Sequence, residues 1–152
     1  MADVRDLYQE VIFEHNKNPR NFGVLENPNR FATGHNPLCG DQLTVYLVVD
    51  DEGTVTDVKF EGSGCAISVA SASLMTQMIK GKSQEEAERI FQAFHDVCMK
   101  EREVEDTPEL EKLAVLAGVR DFPSRVKCAT LAWHTVHAAL ANGEQGAEVT
   151  TE

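Results

Sequence analysis

A thiol and a carboxylate two positions apart are the first side chains in this sequence that could do chemistry. Cys39 and Asp41 lie in residues 36–41 (NPLCGD), which cannot be helical because Pro37 lacks a backbone N–H and Gly40 favours a bend. A pair of this kind is common by chance, and a loop that enters a strand explains it equally well. The pair gains significance only if further ligands lie nearby in space.

Two later cysteines could complete such a group. The full set would supply three thiolates and one carboxylate, from Cys39, Asp41, Cys65 and Cys128. Such a set can fill a tetrahedral zinc shell or hold an iron–sulfur cluster. Structural zinc sites more often have four thiolates, or thiolates with histidine, and a carboxylate is a more exchangeable ligand. The set therefore favours a site that can open.

A β-hairpin is predicted to bring three of these ligands together. Residues 43–49 alternate between apolar and other side chains, residues 51–53 form a turn, and a second alternating strand follows, with its buried face made by Thr56, Val58 and Phe60. Cys39 and Asp41 precede the first strand, and Cys65 follows the second. Because the entry of one antiparallel strand lies beside the exit of the next, we expect these ligands at one end of the sheet.

Two helices are predicted to present thiols from their N-termini. Cys65 precedes an apolar helical pattern over residues 66–80, and Cys128 falls within the first turn or so of a helix that Ser124 can cap. Unpaired N–H groups and the helix dipole favour a thiolate there, and Lys127 would add to this effect beside Cys128. Cys128 lies off the apolar stripe of its helix, so we expect it to face outward.

The remaining segments are predicted to be helical or irregular. Helical spacing begins near Val4, a capping box starts a further helix at Ser83, and a short helix follows Thr107. Residues 17–35 are expected to be a loop or a poorly formed edge strand, because glycine, proline and several asparagines interrupt them. Cys98 lies on the apolar stripe of the Ser83 helix, so we expect it to be a core residue without a role.

Length and charge bound the possible functions. The 152 residues suit one domain, which we place at residues 1–141, and the acidic residues 142–152 are expected to be a disordered tail. A net charge of −11 repels phosphate, so we expect no nucleic acid or anionic membrane as a partner, and a basic protein surface instead. No apolar run approaches the ~18 residues of a membrane span, and the charged start has no secretory pattern. We therefore expect a cytoplasmic protein without a disulfide framework.

Three blocks of sequence resemble those of a known family. NPLCGD (residues 36–41), GSGCAIS (residues 62–68) and RVKCATLAW (residues 125–133) are similar in order and spacing to the signature blocks of the U-type iron–sulfur cluster assembly proteins. The resemblance implies an α+β fold, in which a small antiparallel sheet has helices packed on one side. It also implies a metal or cluster site at Cys39, Asp41, Cys65 and Cys128.

Two features favour one branch of that family. The IscU-like branch has histidine immediately before its third cysteine, whereas this chain has Lys127, which cannot ligate a metal while it is protonated. The segment between Cys65 and Cys128 is also longer than in that branch. Both features are similar to the SufU-like branch, which implies bound zinc and transfer of persulfide sulfur from a cysteine desulfurase.

The resemblance thus implies a sulfur relay in which Cys39 is the catalytic thiol that accepts sulfur. The main alternative is a non-enzymatic scaffold that builds a [2Fe–2S] cluster from iron at the same residues and passes it to apo iron–sulfur proteins or a SUF-type assembly complex. A third possibility is a binding domain whose fold is stabilised by zinc and which carries out no reaction. A cysteine hydrolase is least favoured, because no histidine lies beside any of the three thiols in the sequence.

Overall fold

The computed structural model describes residues 4–142 and 148–150. Within these ranges the chain forms four α-helices, four β-strands and two 3₁₀ segments. In chain order the elements are α1 (Val4–Lys17), β1 (Arg30–Asn36), β2 (Asp41–Val49), β3 (Val55–Ser63), α2 (Ala66–Ile79), α3 (Gln84–Cys98), the 3₁₀ segments Val104–Asp106 and Pro108–Asp121, α4 (Pro123–Asn142) and β4 (Glu148–Thr150).

The four strands form one sheet in the order β3-β2-β1-β4. β2 pairs antiparallel with β1 and with β3, and β4 pairs parallel with β1. Side chains alternate along β2, so that Leu43, Val45 and Leu47 are fully buried beneath the helices. The predicted α+β fold with helices on one side of the sheet is confirmed. β4 adds one difference, because its parallel pairing makes the sheet mixed.

The predicted hairpin of β2 and β3 is present, but a β-bulge changes the direction of one side chain. The register shifts between Val48 and Val49, which leaves Thr56 as the extra residue opposite them. Thr56 is exposed, whereas Val58 and Phe60 are fully buried. The prediction that Thr56 shares their buried face is therefore wrong, because the bulge shifts the alternation by one residue.

β1 corrects the prediction for residues 30–35, whereas residues 18–29 are irregular, as predicted. Its seven residues pair along their whole length with β2, and β4 lies on its other side. Sequence periodicity misses this strand because its buried face carries Ala32 and Gly34 in place of large apolar side chains. A Cβ on Gly34 would lie 3.0 Å from Cδ1 of Leu131 on α4. The helix therefore packs directly against the strand backbone.

Small residues join α2 to α4 behind the sheet. Ser71 of α2 is fully buried, and its Oγ donates a hydrogen bond of 2.5 Å to the carbonyl of Ala129 on α4. Asn16 ties α1 to the same assembly, because its Nδ2 donates to the carbonyl of Ala66 at 2.7 Å. These contacts place the beginnings of α2 and α4 side by side, at the end of the sheet where β2 begins.

Cys98 is a core residue, as predicted. It is 2% exposed at the end of α3 and belongs to the main hydrophobic cluster. Burial raises the pKa of its thiol from 9.0 to about 12, and the charge of Arg120 only partly offsets that rise. The thiol therefore stays protonated at neutral pH and packs as a small apolar side chain.

The C-terminal residues differ in part from their prediction. α4 continues to Asn142, and Glu148–Thr150 forms β4 beside β1, where a disordered tail was expected. Residues 143–147 and 151–152 of that expected tail lie outside the described residues. Within residues 4–142 no helix has both the length and the apolar composition that crossing a membrane requires.

Candidate metal centre

Cys39 lies at the tip of the β1–β2 hairpin. β1 ends at Asn36 and β2 begins at Asp41, and these two residues face each other in the strand pairing. The Cys39 backbone N–H donates to the Asn36 carbonyl at 3.3 Å, and Gly40 has a φ of +73°, a region that favours glycine. This tight turn leaves the Cys39 side chain exposed, while Asp41 is only 2% exposed.

Cys65 is the N-cap of α2, as predicted. Its backbone is extended, and its Sγ accepts a hydrogen bond of 3.4 Å from the backbone N–H of Ser68. That N–H is one of the donors that a helix leaves unpaired in its first turn. The Cys65 thiol therefore has a fixed direction, although it is only partly buried.

Asp41 is held at both of its carboxylate oxygens. Oδ1 accepts a hydrogen bond of 2.7 Å from the backbone N–H of Cys65, and Oδ2 accepts one of 3.1 Å from Nδ2 of Asn36. The Sγ of Cys65 lies 3.9 Å from Oδ2. Gly64 makes the approach possible, because a Cβ at that position would lie 2.6 Å from Oδ1. These contacts therefore hold Asp41 in one orientation.

Cys128 corrects a prediction, because it is 1% exposed and does not face outward. Its Sγ lies 3.4 Å from Sγ of Cys39 and 3.6 Å from the carbonyl oxygen of Ser124. The prediction treated α4 as a helix with one buried stripe. In the structure Ala132 and Thr135, which share the face of Cys128, are fully buried too, since α4 packs against both the sheet and α2.

The structure brings the predicted ligands together. One ligand atom from each of Cys39, Asp41 and Cys128 lies within 4.8 Å of the other two. Cys65 is outside this three-residue set but contacts Asp41 through both its backbone N–H and its Sγ. All four side chains therefore meet at one end of the sheet.

The electrostatics of Cys128 oppose the predicted thiolate. Burial raises the pKa of this thiol well above its usual range, and hydrogen bonding with the thiols of Cys39 and Cys65 and the nearby charge of Asp41 raise it further. Three thiols and a buried carboxylate meet here as one donor set. A divalent ion would reverse this effect, because a coordinating thiol is deprotonated. The donor chemistry therefore fits zinc or iron.

Sequence reasoning missed one residue of the site. Asn36 is fully buried, and its Nδ2 lies 3.1 Å from Oδ2 of Asp41 and 3.4 Å from Sγ of Cys128. The sequence suggested only a backbone role for Asn36, because Pro37 biases the residue before it toward extended conformations. The sequence did hold one signal for this role. Asn36 directly precedes the turn that leads to Asp41, so the two residues can face each other across the hairpin.

The fold and the thiol–carboxylate site define a known class of domain. Residues 7–129 match the NifU-like N-terminal domain, and the chain belongs to this family. It is 45% identical over 145 residues to the zinc-dependent sulfurtransferase SufU of Bacillus subtilis, covering 95% of this chain and 97% of that protein. It is 35% identical over 152 residues to the iron–sulfur cluster assembly scaffold protein IscU of Streptococcus pyogenes, covering 100% of this chain and 94% of that protein.

A solved structure shows the same architecture. The crystal structure of FiSufU from Fervidobacterium islandicum AW-1 superposes with a TM-score of 0.82 at 35% identity, covering 88% of this chain and 96% of that chain. The resemblance to U-type proteins that the three sequence blocks indicated is therefore confirmed. Identity to the SufU relative also exceeds identity to this IscU relative.

Proposed function

We propose that this protein accepts sulfur from a persulfide carried by a cysteine desulfurase, at a zinc site formed by Cys39, Asp41, Cys65 and Cys128. The observation that carries the proposal is the pairing of an exposed thiol with a buried one, Cys39 and Cys128, whose sulfur atoms are 3.4 Å apart beside a buried carboxylate. The similarity to a protein named as a zinc-dependent sulfurtransferase supports it.

Cys39 is the residue that takes the sulfur, because it is the exposed member of the set. Its thiolate attacks the outer sulfur of the partner's persulfide, so that a new S–S bond forms on Cys39. The S–S bond of the partner breaks in the same exchange, and the partner's cysteine leaves as a thiolate. The exchange needs no oxidant or reductant. The hairpin tip gives the partner's side chain access to Cys39 without opening the core.

The other three side chains hold the site in place. Cys65 is fixed by the first turn of α2, Cys128 by its burial in α4, and Asp41 by its two hydrogen bonds. Bound zinc would supply one chemical function, the deprotonation of the thiols at neutral pH. Asp41 is the most exchangeable of the four ligands, since its oxygens already have donors within the protein.

Substitution of Cys39 tests the proposal. With a cysteine desulfurase and L-cysteine as substrate, the wild-type protein should stimulate turnover, and mass spectrometry should find added sulfur on Cys39. Cys39→Ser should abolish both effects. Cys98→Ala is the matched control, because it removes a thiol from the core and leaves the site intact, and it should behave as wild type. Unchanged stimulation by Cys39→Ser would refute the relay.

A scaffold function is the second candidate, because other relatives are named as iron–sulfur cluster assembly scaffolds. The same four side chains would then hold a [2Fe–2S] cluster as cargo, destined for apo iron–sulfur proteins or a SUF-type assembly complex. Anaerobic reconstitution with iron and sulfide separates the two functions. A stable visible chromophore that transfers to an apo-acceptor supports the scaffold, whereas tightly held zinc without a cluster supports the relay.

A further inference from the structure

The side chain of Asn36 contacts two of the proposed metal ligands, although Asn36 is not itself a ligand in the proposed function. It is fully buried at the last position of β1 and meets the site from beneath the hairpin tip. Its Nδ2 donates to Oδ2 of Asp41 at 3.1 Å and lies 3.4 Å from Sγ of Cys128. The backbone carbonyl oxygen of Asn36 accepts a hydrogen bond of 3.3 Å from the backbone N–H of Cys39. One residue thus contacts three of the four presumed ligands.

The contacts of Asn36 with the site are made by its amide nitrogen and not by its amide oxygen. Oδ1 is buried and has no hydrogen-bond partner among the described residues. Leaving a buried acceptor unpaired costs stability, so the amide is oriented by its N–H donors and not by its oxygen. If the amide were turned around, Oδ1 would face the carboxylate of Asp41. Only the observed orientation directs the N–H donors towards the ligands.

Each donor contact has a consequence for a bound metal. The contact to Asp41 engages Oδ2 and so limits how the carboxylate can turn towards an ion. The contact to Cys128 places an N–H against the sulfur, which stabilises negative charge on that atom once the thiol is deprotonated. Hydrogen bonds of this kind orient metal ligands and tune their donor strength.

We propose that Asn36 is a positioning residue that sets the geometry and donor strength of Asp41 and Cys128 at the metal centre. This inference rests on the metal site of the proposed function. It does not depend on sulfur transfer.

Substitutions at Asn36 test the inference, with Asn29 as the matched control. Asn29 makes two side-chain hydrogen bonds to Val49 at the other end of the same strand pair, about 23 Å along β1 from Asn36. Asn36→Leu removes both amide atoms but keeps the branched shape, and Asn36→Ala serves if the leucine variant does not fold. The measurements are zinc affinity by chelator competition, the absorption spectrum with Co²⁺, and thermal unfolding without metal.

The expected result separates an effect of Asn36 on the metal ligands from an effect on the stability of the fold. Asn36→Leu should lower zinc affinity about 10–100-fold. It should also move the sulfur-to-cobalt charge-transfer band to longer wavelength, because Cys128 loses a hydrogen-bond donor. Its thermal midpoint without metal should fall, because the buried carboxylate of Asp41 loses a hydrogen-bond donor. Asn29→Ala should lower that midpoint too, but it should leave zinc affinity and the cobalt spectrum unchanged.

Three outcomes would overturn the inference. Wild-type affinity and spectrum in the Asn36 variant that folds would show that the contacts do not act on the metal. The same fall in zinc affinity in Asn29→Ala would show that lost stability alone explains the effect. A wild-type protein that binds neither zinc nor cobalt would overturn both this inference and the proposed function. Tight zinc binding without sulfur acceptance would overturn the relay alone.

Discussion

Oδ1 of Asp41 accepts a hydrogen bond of 2.7 Å from the backbone N–H of Cys65, and this contact joins the start of β2 to the start of α2. It fixes the carboxylate from the side opposite to Asn36. The contact exists because Gly64, between β3 and Cys65, has no side chain to occupy the same space. The position of a presumed ligand therefore depends on a residue that has no functional group.

Gly64→Ala should weaken metal binding through this contact. The added methyl group would lie 2.6 Å from Oδ1 and 3.1 Å from Cγ of Asp41, so the carboxylate must move. We expect zinc affinity to fall about 10-fold or more, measured by chelator competition. Ser63→Ala alters the adjacent exposed position and should leave the affinity unchanged. Equal affinity in the wild type and Gly64→Ala would argue against Asp41 as a ligand.

Zinc should stabilise the folded protein, and a chelator should remove that stabilisation. Zinc free in solution at 100 times its dissociation constant should add about 2.7 kcal/mol to the free energy of unfolding. Differential scanning calorimetry with and without zinc measures the increment. Cys128→Ser should lose most of it, whereas Cys98→Ala should retain it. The same increment in both variants would place the zinc elsewhere.

Cys98 should make the metal-free protein less stable in alkaline solution. Burial raises the pKa of its thiol to about 12, whereas the unfolded thiol ionises near 9.0. Its stabilising effect is therefore complete below pH 9 and is lost between pH 9 and about 12, at about 1.4 kcal/mol per pH unit. Denaturant unfolding of the wild type and Cys98→Ala should show their stability difference shrinking by about that amount between pH 8 and 10. A difference independent of pH would contradict this.

His134 should make the protein less stable in mildly acidic solution. Burial lowers the pKa of this imidazole, as do the charges of His95 and His137, and its ring lies against Phe91. A lowered pKa favours the neutral form in the folded state, so this stabilisation is present above pH 6.5 and is lost as the pH falls below it. His134→Phe should flatten the fall in thermal midpoint between pH 6.5 and 5.

The control for the His134 prediction is a histidine outside this cluster. His35 lies on β1, and His35→Gln should keep the acid sensitivity of the wild type. Glu88 hydrogen-bonds His137 at 2.6 Å and also faces the cluster, so it stays unchanged in both variants. An unchanged acid slope in His134→Phe would assign the effect to another group.

Periodicity in the sequence was enough to predict the convergence of Cys39, Asp41 and Cys65. The alternation of β2 and β3 fixes an antiparallel hairpin, and antiparallel pairing brings strand entry and strand exit together. The capping position of Cys65 likewise followed from local pattern, and the structure confirms it. These features depend on residues that are close together in the chain, so the local sequence pattern is enough to predict them.

The burial of Cys128 and the contacts of Asn36 could not be predicted in the same way. A helical wheel assumes one packing partner, but α4 packs against both the sheet and α2, so a residue off the main stripe is buried as well. The Asn36 contacts depend on Cys128, which is 92 positions away in the chain. Neither feature is visible until the elements are packed together.

The order of the donors along the chain has a consequence for protein synthesis. Cys39, Asp41 and Cys65 belong to the first half of the sequence, whereas Cys128 lies on α4, the last of the four helices. A chain still emerging from the ribosome therefore lacks one sulfur until α4 has been made and has docked against β1. If all four side chains hold the ion, as proposed, the complete site forms only late in maturation, and fragments that end before α4 lack it.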